Sequence, residues 1–198
     1  VLRNRAELAI DAGDLEVAGE LLRRCLALDT ELADARGASE ARQNLGLRAY
    51  LMGSDDEAAG WLEGALADQV SIGHKRGQSD SLDALGRLAC RRGDLAAAAA
   101  HLADSLSLRR EMGHWLAQVA SLESCAMLAA ARGDAHGARR WLGLAGSERA
   151  RAGAPLPPAR RRELDAALAG LPPPSAPPPG AAADLDAAVD AALAWLAE

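Results

Sequence analysis

The 198 residues hold four histidines, three cysteines and 28 acidic side chains, and their spacing limits the chemistry they can do. His74 and His114 stand 40 residues apart. One reading pairs them as ligands; the other displays them at the same place in consecutive surface loops. His101 lies in a column of large residues, either as a hydrogen-bonded, partly buried imidazole or as a pH-sensitive contact. Cys25, Cys90 and Cys125 have no metal-like spacing and sit among Ala and Leu, so they read as packing thiols of a reduced, cytoplasmic protein. Trp61 and Trp141 read as core or, failing that, as a ligand cage. A phosphate loop requires Gly-x-x-x-x-Gly-Lys-Ser/Thr, but the sole lysine, Lys75, stands in Gly73-His74-Lys75-Arg76. His-Glu-x-x-His, Cys-x-x-Cys and Gly-x-Ser-x-Gly are absent from the sequence. Asp55, Asp56, Asp80 and Asp83 read as solvated or capping acids. Arg160, Arg161 and Arg162 read as a solvated first helical turn, or as a patch for an acidic partner or nucleic acid. Nothing gathers a nucleophile, a base or a ligand set, so no enzyme, cofactor or metal is expected.

Elements able to position these residues are helices. Hydrophobic residues make up 49% of the sequence but aromatics only 3%, which suits a Leu/Ala core of closely spaced helices better than a sandwich or barrel. All nine prolines lie between Pro155 and Pro179, leaving the first 154 residues free of that helix breaker. A net charge of −6 argues against a general nucleic-acid binder. Arginines are concentrated locally, with seven in residues 133–162 against Asp134 and Glu148. No apolar run reaches the ~18 residues of a membrane span, and no signal-peptide pattern opens the chain. The sequence starts at Val1 in mid-pattern, as a piece of a longer polypeptide would.

A forty-residue period organises the chain. Gly13, Gly53, Gly93 and Gly133 recur at that spacing, each followed by Asp14, Ser54, Asp94 or Asp134, all good helix N-caps. Five residues after each glycine stand Ala18, Ala58, Ala98 and Ala138; nine after it stand Leu22, Leu62, Leu102 and Leu142. Ahead of it, small residues recur at −4 (Ala9, Ala49, Ala89, Ala129) and at −7 (Ala6, Gly46, Gly86, Ala126). Each unit reads as helix, tight glycine turn, helix, with small residues allowing close approach. The expected helices are 1–12 and 14–33, 39–52 and 54–72, 78–92 and 94–112, and 115–132 and 134–152. A single hairpin cannot bury its apolar stripe, so the units must stack.

These offsets resemble the tetratricopeptide repeat, on Gly46, Gly53, Ala58, Leu62 and Ala65 in the second unit and Gly86, Gly93, Ala98, Leu102 and Ser105 in the third. The period is 40 rather than about 34 residues, and the closing proline is absent. The expected fold is all-α: a right-handed α-solenoid of about four such repeats over 1–154, with units 1–33, 39–72, 78–112 and 115–152. A capping helix follows over 155–170, then a Pro-rich linker over 171–183 and a C-terminal helix over 184–198. The resemblance further implies a concave face lined by the first helix of each unit. Carried over column by column, it comprises Glu7 and Asp11; Glu40, Gln43, Leu47, Tyr50 and Leu51; Asp80, Asp83, Arg87 and Arg91; and Glu123, Met127 and Ala130.

The tail carries a more specific likeness. Trp141-Leu142-Gly143, Ser147-Glu148-Arg149, Gly153-Ala154-Pro155-Leu156-Pro157-Pro158 and Glu163-Leu164 are similar to the helical-repeat region of bacterial LuxR-like and AfsR-like STAND ATPase transcription regulators. Asp184-Leu185-Asp186-Ala187-Ala188-Val189 resembles their final helix. That resemblance implies a non-catalytic sensor or regulatory arm, cytoplasmic, binding a protein or peptide partner or the ATPase module of its own chain through the concave face. No direct nucleic-acid or membrane contact is implied for these residues. The alternative is a free-standing tetratricopeptide-like adaptor unrelated to transcription.

Overall fold

A computed structural model describes residues 2–171 and 184–197; nearly all of the expected Pro-rich linker therefore lies outside the described residues. Ten helices follow in order: α1 (Leu2–Ala12), α2 (Leu15–Glu31), α3 (Ala35–Leu51), α4 (Asp55–Ser71), α5 (Lys75–Arg92), α6 (Leu95–Glu111), α7 (Trp115–Ala131), α8 (Ala135–Ala152), α9 (Pro158–Leu168) and α10 (Leu185–Leu196). Among the described residues there is no strand, and no helix is long and apolar enough to cross a membrane.

The turns explain the regularity. Gly13, Gly53, Gly93 and Gly133 adopt φ of 90, 77, 80 and 76°, a left-handed conformation that glycine enters without the steric cost of a Cβ. The next residue then donates its N–H five positions back, as in Asp94 N–H to the Ala89 carbonyl at 3.0 Å. The junctions after α2, α4, α6 and α8 use the same device, on Ala33, Gly73, Gly113 and Gly153. Helices consequently begin every 20 residues from Leu15 to Ala135. This corrects two expected boundaries: α3 begins at Ala35 rather than 39, and α5 at Lys75 rather than 78. At Ala33 the left-handed residue is not glycine, which hides the turn, and Asp34 caps α3 by accepting from Gly37 N–H at 2.9 Å.

The chain divides into two compact units, residues 1–88 and 89–198. Within each, consecutive helices pack on one another, consistent with a helical-repeat solenoid. In the first unit, Ala6, Ile10, Leu21, Leu22 and Leu45 form one apolar cluster, and Leu62, Ala84 and Leu85 another. The α3–α4 approach depends on Gly46, where an added Cβ would lie 2.6 Å from Leu62 Cγ. In the second unit a single core runs from Ala89 to Leu196. There α10 packs on α6, α7 and α8, burying Leu185, Ala188, Val189, Ala192 and Leu196. Trp195 reaches Trp141 with ring centroids 6.0 Å apart, and the Arg132 guanidinium lies over the Trp195 ring, 4.7 Å from its centroid.

Candidate functional site

The face expected to receive a partner is drawn largely into the helix packing. In the first unit Arg3 is the centre of a polar cluster. Its Nη1 donates to Glu40 Oε2 at 2.6 Å and its Nη2 to Asp29 Oδ2 at 3.0 Å, while Arg36 Nε reaches Glu40 Oε1 at 3.2 Å. Beside them lies a polar cavity of about 190 Å³, lined by Arg3, Glu40, Gln43, His74, Arg76 and Asp80 among others. His74 is buried there, with Nε2 3.7 Å from Glu40 Oε1 and neither ring nitrogen hydrogen-bonded. Burial pushes its pKa down and Arg36 adds to the effect, against the opposing pull of Glu40 and Asp80, so the ring is neutral at pH 7. Gln43 is likewise engaged, accepting from Gln69 Nε2 at 2.8 Å, while Ser81 Oγ donates to Gln69 Oε1 at 2.8 Å.

Tyr50, Asp83 and Arg87 depart furthest from the expected open face. All three are buried. Arg87 Nε donates to Asp83 Oδ2 at 3.0 Å, and its guanidinium lies 5.2 Å from the Tyr50 ring centroid. Leu47 packs half-buried beside Tyr50. The small residues at −7 and −4 bring helices so close that side chains at −10, −6 and −3 fall into the seam. Residues of the expected face that stay exposed are Glu7, Asp11 and Arg91, with Glu40 and Asp80 half-buried.

In the second unit Glu123, only 2% exposed, is the anionic counterpart of Arg3. Arg149 Nε donates to its Oε1 at 2.5 Å and Arg160 Nε to its Oε2 at 3.3 Å. Arg160 also donates to Ser124 Oγ at 2.7 Å, Glu163 Oε2 at 2.9 Å and Met127 Sδ at 3.4 Å, fixing α9 on α7. Arg160 is therefore no solvated first-turn residue, and Glu123 and Met127 are buried rather than offered to a partner. Arg161 and Arg162 are exposed, as expected.

The two clusters obey one rule. Arg3 meets residues 26 and 37 positions later, Asp29 and Glu40; Glu123 meets Arg149 and Arg160 at the same two spacings with the charges inverted. Gln43 and Gln69 are the neutral version of the 26-residue pair. The signal lies in the sequence as complementary residues at i, i+26 and i+37, but only the stacking register gives those spacings meaning.

Groups that could do chemistry are placed as follows. Among the described residues, no three His, Cys, Asp or Glu side chains gather to hold a metal ion. Cys25 and Cys125 are buried and Cys90 half-buried. Burial, with Asp29 adding, raises the Cys25 thiol above its ordinary pKa, which leaves it protonated and unreactive at neutral pH. His74 and His114 share a turn position yet differ: the first lines a cavity, the second is exposed at the start of α7. His101 is half-buried and Trp141 fully buried in the core. Compared with known proteins, the chain matches no family model and no curated sequence.

Proposed function

We propose that this chain is a non-catalytic, protein-binding array: a right-handed solenoid of four tetratricopeptide-like units that serves as the regulatory arm of a LuxR-like or AfsR-like bacterial ATP-dependent transcription regulator. The observation that carries the non-catalytic reading is the fate of the charged residues on the first helices. Arg3, Glu40, Asp83, Arg87 and Glu123 are tied into ion pairs between or along helices. None of them converges with a nucleophile in a cleft. Charge exposed at the surface on Asp11 and Arg76 is suited to steering a partner and setting its register. The partner is the nucleotide-binding module of the same polypeptide, or a protein that module obeys.

The test is to delete residues 1–198 from the full polypeptide and follow nucleotide turnover and promoter response. The reading expects both to lose their normal dependence on the inducing signal. A full polypeptide with no nucleotide-binding module, or one regulated identically without these residues, overturns it.

A further inference from the structure

The gap between α8 and α9 offers a site that the partner-binding reading does not use. Leu22, Leu62 and Leu102 occupy one column of the repeat and are fully or almost fully buried. Their counterpart Leu142 is only half-buried, because α9 packs on α7 without closing against α8. Pro155, Pro157 and Pro158 stiffen the connection that holds α9 away. Left between them is a cavity of about 500 Å³, within the roughly 300–1,000 Å³ of small-molecule sites. Its walls include Leu142, Ala145, Leu156 and Leu164, and its polar groups are Arg149, Arg161 and Glu123.

The charged side chains of this lining are two guanidiniums, Arg149 and Arg161, against one carboxylate, Glu123. Glu123 is already neutralised by Arg149 and Arg160. Arg161 is exposed and has no ion pair among the described residues. With Arg149 and Arg160 paired to Glu123 and Glu163, the Arg161 guanidinium supplies the positive charge that faces an anion at the mouth. An apolar slot with a guanidinium at its edge is complementary to a molecule with a hydrocarbon body and one carboxylate.

We propose that the α8–α9 cavity binds a small amphipathic carboxylate, such as a medium-chain fatty acid, with its hydrocarbon against Leu142, Leu156 and Leu164 and its carboxylate on Arg161. This assignment is independent of the regulatory-arm reading, since it needs no partner protein and no parent module.

Gly146 makes the proposal testable without unfolding the protein. It lines the cavity, and a Cβ added to it would meet nothing within 4 Å. Gly146→Leu thus fills the slot while replacing a poor helix former within α8 by a good one. Isothermal titration of the full chain with dodecanoate, below its micelle concentration, is compared with dodecanol. Expected results are saturable one-site binding of dodecanoate, at least tenfold weaker binding of dodecanol, and at least tenfold weaker dodecanoate binding by Arg161→Gln. Gly146→Leu should abolish binding while its melting temperature stays level or rises. Absence of dodecanoate binding overturns the proposal, as does equal binding by Gly146→Leu with its fold intact, which would place the ligand elsewhere. Equal affinity for dodecanol, or an unchanged affinity in Arg161→Gln, overturns the carboxylate assignment.

Discussion

Glu123→Ala is the perturbation that most exposes the logic of the inter-helix clusters. Wild-type Glu123 accepts from Arg149 at 2.5 Å and Arg160 at 3.3 Å, with the two guanidinium side chains only 12% and 13% exposed. Removing the carboxylate takes the buried partner from Arg149 and leaves Arg160 with Glu163 in a largely dehydrated seam, and breaking a buried pair costs about 3–5 kcal/mol. Partial hydration of both arginines places the expected loss at the lower end, about 3 kcal/mol. Urea unfolding followed by far-UV circular dichroism measures it directly. Arg160→Ala should cost less, because Glu123 retains Arg149 and Arg160 contributes from a single short cap helix. In the double-mutant cycle the two changes should couple by about 1–3 kcal/mol, as residues in one charge network do. A loss below about 1 kcal/mol for Glu123→Ala, the range of exposed ion pairs, refutes the argument that this acid organises the α7–α8–α9 seam. Additive behaviour of the two changes refutes it as well.

Four further outcomes follow from the turns, the seams and the cavity in the first unit. Ala33 holds φ of 54°, so Ala33→Gly relieves left-handed strain of about 1–2 kcal/mol, returns part of it through a freer unfolded chain, and should stabilise by about 0.5–1 kcal/mol in chemical denaturation. The reverse change at an equivalent turn, Gly93→Ala, should destabilise by about 1 kcal/mol. Ala98→Leu should overpack the seam in which Ala98 is fully buried and cost about 1–3 kcal/mol in the same assay. His74 has a pKa below its ordinary 6.5 in the folded state, so folding favours the neutral ring. Its contribution is complete above pH 6.5 and is lost as pH falls from there toward the lower folded value; His74→Gln should flatten that part of the stability–pH curve, and an unchanged curve counts against the burial argument.

Legibility in the sequence tracks how local each determinant is. Gly13, Gly53, Gly93 and Gly133 announce the turns because a left-handed residue between two helices selects glycine strongly, and the structure finds all four there. The second series of turns was harder to see, since its first member is Ala33 and Gly73 is accompanied by Gly77, which sits inside α5. The apolar stripe of the last helix, on Leu185, Val189, Ala192 and Leu196, reads directly from a helical period, but its docking on α6, α7 and α8 depends on shape that periodicity does not encode.

The expected partner face fared differently for a physical reason. Charged residues read by default as solvated, and Glu123, Arg87 and Asp83 become buried only because oppositely charged groups meet them. Arg160 illustrates the point. Three consecutive arginines after a Pro-Pro pair look like a hydrated first turn, yet Arg160 occupies, 120 residues on, the column of Glu40. In that column it meets the buried residue 37 positions earlier, as Glu40 meets Arg3. Electrostatic complementarity at such spacings emerges only after the packing register is known.

The proposed function holds that the charge exposed on the first helices binds a partner while the buried charge holds the array together. Its most direct measurement is the binding of residues 1–198 to the nucleotide-binding module that the proposed function requires, by titration calorimetry, for wild type and for Asp11→Arg/Arg76→Glu. The account predicts saturable binding by wild type, at least tenfold weaker binding by the charge-reversed variant, and matching thermal melts. Absence of binding by wild type, or equal affinity in a variant that remains folded, contradicts it.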